Sequence, residues 1–142
     1  MKRKRKNGQA IVELALVFPF FLLIIIGGII DFGFAFYNFI TLQQLANDTA
    51  QWAAERSISS DGEISTYVNS KKPSWWKGTF TMYEVQRPYL SDNSRMVKIQ
   101  LGYDSPTYTP FYQTMLQSTT GDKSIKLVAY AAYKEPKIVK SR

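Results

Sequence analysis

LALVFPFFLLIIIGGII, residues 14–30, is a run of seventeen residues without a charge. Coiled as a helix it extends about 25 Å, the lower edge of what crosses a bilayer. The apolar character continues past Asp31 through Phe32, Phe34, Ala35, Phe36, Tyr37, Phe39 and Ile40. A tilted span that includes this aromatic turn is therefore expected over residues 9–40. Upstream stand Lys2, Arg3, Lys4, Arg5 and Lys6. Five consecutive cations before a span hold the N-terminus in the cytoplasm and place everything after about residue 40 outside. A cleavable secretory signal also begins basic and turns apolar, but it needs a shorter apolar core and a small-x-small site after it, and no convincing A-x-A follows here.

The remaining composition narrows the chemistry. The net charge is +7 over 142 residues, yet without the five leader cations 13 Lys and Arg face 11 Asp and Glu. The basicity belongs to one terminal tag, so no nucleic-acid partner is expected. Cysteine and histidine are both absent. Thiol nucleophiles, thiolate metal sites and the commonest general base go with them, and neither a cofactor nor a metal is expected. Ser74-Trp75-Trp76-Lys77 and Ser91-Asp92-Asn93 imitate two elements of penicillin-recognising serine enzymes, but Lys77-Gly78-Thr79 is not K-T-G and the chain beyond Ser57 is too short for that fold. Gly121-Asp122-Lys123-Ser124 lacks the six-residue lead of a phosphate-binding loop. No enzyme is expected.

After the span the pattern becomes one-sided. Leu42, Leu45, Ala46, Thr49, Ala50 and Ala53 recur at helical spacing, so an amphipathic helix continues the membrane helix to about Ser57. Ser57, Ser59, Ser60, Asp61 and Gly62 end it, and a short helix over Glu63 to Asn69 follows. Strands are expected over Thr79–Arg87, Met96–Tyr103 and Ser124–Lys134, the middle one alternating Val97, Ile99, Leu101 and Tyr103 with Lys98, Gln100 and Gly102. Ser91 to Ser94 reads as the hairpin turn between the first two strands, and the stretch through Pro106 and Pro110 reads as a Pro-rich connection. The expected fold is α+β: a small antiparallel sheet packed on the amphipathic half of a long helix, burying Ala46, Ala50 and Ala53. This divides the chain into a basic leader (1–8), a transmembrane helix (9–40) and an extracytoplasmic head (41–142).

Single residues suggest roles. Glu13 opens the apolar run, where a carboxylate set deep costs about 2.5–3.5 kcal/mol and calls for a partner or a function; a solvated place at the headgroups, helped by the helix macrodipole, is the plainer explanation. Pro19 lacks an N–H donor and is expected to kink the helix, while Gly27 and Gly28 lower its stiffness. Lys71, Lys72, Trp75, Trp76 and Lys77 interleave cations with aromatics. Trp75, Trp76 and Lys77 are thus candidates for contact with a surface, glycan or single-stranded DNA, against the simpler alternative of indoles packed under the sheet.

Gly8-Gln9-Ala10-Ile11-Val12-Glu13 before an apolar helix resembles the processing site of type IV prepilins, where a peptidase cuts after glycine five residues ahead of a glutamate. The wider stretch from Lys6 to Arg56, with Pro19 in the span, Asp31 beside Phe32-Gly33, and Ala53-Ala54-Glu55-Arg56, is similar to the TadE-like pseudopilins of the tight-adherence (Tad, or Flp) pilus and secretion system. VKIQLGY and IKLVAYAAYKEP match more loosely. The resemblance implies a pilin-like fold and cleavage between Gly8 and Gln9. It also implies partners in a prepilin peptidase, other pilin subunits, the pilus assembly machinery and the membrane. Gln9 in place of an aromatic residue, and a chain longer than the short major pilin, favour a minor or priming subunit. On this view the α-ammonium of a mature Gln9 pairs with Glu13 of a neighbouring subunit while both are desolvated. The alternative function is a single-pass, membrane-anchored binding protein.

Overall fold

The structure is a computed structural model that describes residues 5–136 apart from Asn93. Leader residues 1–4 and the Asn93 position of the expected turn lie outside the described residues, and residues 5–7 are described as backbone only. The elements in order are α1 (Arg5–Glu55), α2 (Asp61–Lys71), β1 (Phe80–Gln86), β2 (Met96–Pro106), α3 (Pro110–Thr120) and β3 (Ser124–Lys134). The fold is α+β, a long apolar N-terminal helix followed by a three-stranded antiparallel sheet in the order β1-β2-β3. This is the class that the helical and alternating patterns predict, and it is consistent with the pilin-like fold that the resemblance implies.

The chain forms two compact units, one containing the chain up to Phe34 with Thr107–Lys123, the other Ala35–Pro106 with the chain from Ser124 onward. In the second unit the buried positions of α1 are Ala35, Asn38, Leu42, Leu45, Ala46, Thr49, Ala50, Ala53 and Ala54. Their three- and four-residue spacing is one face of a helix. Five alanines on that face let the sheet approach closely, and Ala46, Ala50 and Ala53 are fully buried, as expected. Ile64 and Val68 of α2 join the same core with Val97, Ile99, Leu101 and Tyr103 of β2 and Ala129 and Ala131 of β3. Thr49 keeps its place in this apolar face because its hydroxyl donates to the Leu45 carbonyl at 2.6 Å.

Strand alternation sets which side chains enter the core, and one bulge corrects the register. The β1–β2 pairing shifts between Met82 and Glu84, so Tyr83 and Glu84 both face out while Phe80, Met82 and Val85 all pack against the core. An extra residue in an antiparallel strand produces this double outward step. The β1–β2 connection closes with Leu90 N–H donating to Ser94 O at 2.8 Å and a bridge between Tyr89 and Arg95. Asp92 accepts from Lys134 Nζ at 2.6 Å and from the backbone N–H of Ser94. The hydrogen bond from Lys134 and those from Ser94 hold its carboxyl well below the usual carboxylate range.

One element departs from expectation. The Pro-rich connection contains a three-turn helix, α3. Its ends are written locally: Pro110 occupies the first helical turn, where its missing N–H costs nothing, and Gly121 takes the left-handed conformation (φ 77°) that stops the helix. Phe111, Tyr112, Met115 and Leu116 do recur at helical spacing, but the two closely spaced prolines ahead of them make the stretch read as a connection.

Candidate processing and assembly segment

From Gly8 to Ile26 every residue of α1 is exposed, including Ile11, Val12, Leu14, Leu16, Val17, Phe18, Phe20, Phe21 and Leu23. An apolar helix whose side chains are exposed along five turns requires another apolar environment. It is the one helix among the described residues long and apolar enough to cross a membrane. Pro19 lies inside it, and the helix continues through that position.

At the head of this segment Gln9 Nε2 donates to Glu13 Oε1 at 3.1 Å, one turn apart on the same face. Both residues are exposed, and such an i,i+4 pair is worth about 0.2–0.5 kcal/mol. Gly8 is also exposed, and a side chain there would meet no heavy atom within 4 Å. The three residues singled out for processing and assembly thus occupy adjacent turns of one open helix end.

Asp31, the charge that interrupts the apolar run, is 1% exposed. Its carboxylate accepts from the backbone N–H of Tyr108 at 2.7 Å and of Thr109 at 3.2 Å, and from the Thr109 hydroxyl. Thr109 is the residue that caps α3, but its hydroxyl makes no local cap. Asp31 supplies the negative group that the helix N-terminus attracts. Gly27 and Gly28 make the contact possible. A Cβ on Gly28 would lie 2.5 Å from the Tyr112 hydroxyl, and one on Gly27 3.4 Å from Thr109. The glycine pair is therefore a notch for α3, beyond any effect on helix stiffness. Phe32 meets Tyr112 edge-on at 5.7 Å and Phe34 meets Tyr108 at 5.1 Å. Sequence reading noted Asp31 and both glycines but not their partner; an acid inside an apolar helix, together with an uncapped Thr-Pro helix start elsewhere, was the available signal.

The aromatic and cationic cluster of the head is divided. Trp75 is 58% exposed and Lys77 is exposed, whereas Trp76 is half-buried, stacks on Tyr103 at 4.3 Å and donates from Nε1 to Asn38 Oδ1 at 3.1 Å. Asn38 in turn donates to Ser105 Oγ at 3.0 Å. Lys71 and Lys72 lie over Tyr67 and Phe80.

The family model described as TadE-like protein matches residues 8–51. This segment is TadE-like. The match begins at Gly8, spans Glu13, Pro19 and Asp31, and ends within the buried alanine face, 44 of the 142 residues. It bears out the resemblance carried by those residues. No curated protein and no solved structure matches the chain.

Proposed function

We propose that this TadE-like chain is a minor pilin or pseudopilin that is cut between Gly8 and Gln9 by a prepilin peptidase. It then acts by co-assembly with other pilin subunits in a Tad/Flp-type pilus or secretion apparatus. Its role is structural, not catalytic. The leader lies in the cytoplasm, the span crosses the membrane and the head is extracytoplasmic. The observation that carries this reading is the exposed apolar helix from Gly8 to Ile26, which begins at an open glycine and a Gln9–Glu13 pair. A lone anchor needs the apolar length but not the glycine and glutamate at that spacing. Helix-to-helix assembly uses both: cleavage creates an α-ammonium at Gln9, and Glu13 of an adjacent subunit is the charge that sets its register.

Mass spectrometry of the membrane form made in cells that contain the peptidase tests the proposal. A mature N-terminus at Gln9 is the expected result. A chain that retains Met1 to Gly8 under those conditions overturns it in favour of the second reading, a membrane-anchored binding protein. The exposed Trp75 beside Lys77 favours that alternative as a contact for a surface or glycan.

A further inference from the structure

A second uncharged stretch, Ser105–Gly121, lies between Asp104 and Asp122. It contains α3, and no residue of that helix is buried although it carries Phe111, Tyr112, Met115 and Leu116. Its hydroxyls are turned back onto its own carbonyls: Thr114 donates to Pro110 O, Ser118 and Thr119 to Met115 O, and Thr120 to Leu116 O. Helices in apolar surroundings satisfy their hydroxyls in this way, since no water is there to do so.

The docking level of α3 gives an independent observation. The Tyr112 hydroxyl donates to the Ile24 carbonyl at 3.2 Å, and Thr109 lies against Gly27. Both contacts fall inside the uncharged run that ends at Ile30. Were α3 outside the bilayer, the span would stop before Ile24, and Leu14 to Leu23 would cover about 15 Å of a hydrocarbon layer of about 30 Å. Of the helix expected to span over 9–40, the uncharged run 14–30 is the part assigned to hydrocarbon, so Ile24 lies about 9 Å inside its Ile30 end, within the depth of roughly 5–10 Å to which interfacial helices sink their apolar face.

The geometry points to α3 as an interfacial helix, embedded in the leaflet at the Ile30 end of the span, with Phe111 and Met115 among the lipid acyl chains. An apolar groove of about 500 Å³, lined by Phe20, Leu23, Gly27, Ile30, Pro110 and Phe111, opens beside it and continues the lipid-facing surface of the span. An acyl chain of that leaflet is its occupant. Gln113 and Gln117, on the helix face opposite Phe111 and Met115, serve the headgroup side. No cation on α3 selects for lipid charge, so a neutral phospholipid suffices.

This inference rests on the reading of residues 14–30 as a membrane span, and one experiment separates the two. The chain lacks cysteine, so single cysteines placed in the full chain at Met115, Phe111, Leu23 and Tyr83 accept a fluorophore uniquely. The labelled proteins are reconstituted in phosphatidylcholine vesicles with and without phosphatidylcholine carrying a doxyl nitroxide near the top of its acyl chain. The expected result is loss of fluorescence at Met115→Cys and Phe111→Cys equal to that at Leu23→Cys, with none at Tyr83→Cys in the head. Unquenched labels at 111 and 115 beside a quenched label at 23 overturn the interfacial helix and leave the span standing, whether water or another protein covers α3. An unquenched label at 23 overturns both.

Discussion

Asp31 shows how one side chain reconciles a charge with an apolar helix. A carboxylate at the centre of a membrane helix costs about 2.5–3.5 kcal/mol, and here two backbone donors and a hydroxyl from Tyr108 and Thr109 offset that cost. Hydrogen bonds to a charged group contribute about 1.5–3 kcal/mol. Asp31→Ala removes them and leaves the N–H groups of Tyr108 and Thr109, just ahead of α3, without their acceptor. It is expected to weaken docking of α3 by about 2–3 kcal/mol, roughly 30- to 150-fold in the docking equilibrium. Hydrogen exchange of the amides in Thr107–Lys123 measures this directly, and protection equal to wild type would refute the capping role. Asn38 has a comparable place in the second unit, where its amide accepts from Trp76 and donates to Ser105, so the half-buried indole N–H is satisfied inside the head.

At the scale of elements, α1 changes its partner along its length. From Gly8 to Ile26 its side chains are exposed; from Ala35 to Ala54 one face is packed under the sheet. Small residues on that face set the distance between helix and sheet, because close-packed interiors take extra volume only by displacing neighbours. Ala50→Leu adds three carbons at a fully buried position and is expected to cost about 1–3 kcal/mol, while Asp48→Leu on the exposed face stays within about 0.5 kcal/mol. Thermal unfolding of the detergent-solubilised chain separates them at roughly 4–8 °C per kcal/mol for a domain of this size. Equal Tm values for the two variants would contradict the packing described. α3 follows a different logic: short and uncharged, it is held by the residues just ahead of it and by Tyr112 over Gly28 rather than by a core of its own.

For the molecule as a whole, assembly is expected to depend on the open end of α1. The Gln9–Glu13 hydrogen bond is exposed and worth only about 0.2–0.5 kcal/mol, so its loss leaves the fold intact. Glu13→Ala is therefore expected to reach the membrane at the wild-type level yet fail to co-purify with other pilin subunits; undiminished co-purification would remove Glu13 from the assembly mechanism. Much of this organisation was legible beforehand. The apolar run, the basic tag and the alternation in Val97 to Tyr103 foretold the long helix, the sheet and the face carrying Ala46, Ala50 and Ala53. The helix Pro110–Thr120 was not, because the prolines at its start make a short stretch read as a connection and its stabilising partner is remote.

Sequence alone determined what depends on local order: the length of the apolar run, the helical spacing that follows it, the strand alternation, and the glycine and glutamate of the processing motif. Those properties are read from residues within a few turns of one another. Only the tertiary structure decided that Asp31 holds Tyr108, 77 positions further along, at the approach to α3, that Gly27 and Gly28 lie under that segment, and that Trp76 turns inward while Trp75 does not. A carboxylate, a glycine or an indole carries no record of its distant partner. Its role is set by whichever group the folded chain brings within hydrogen-bonding or van der Waals reach.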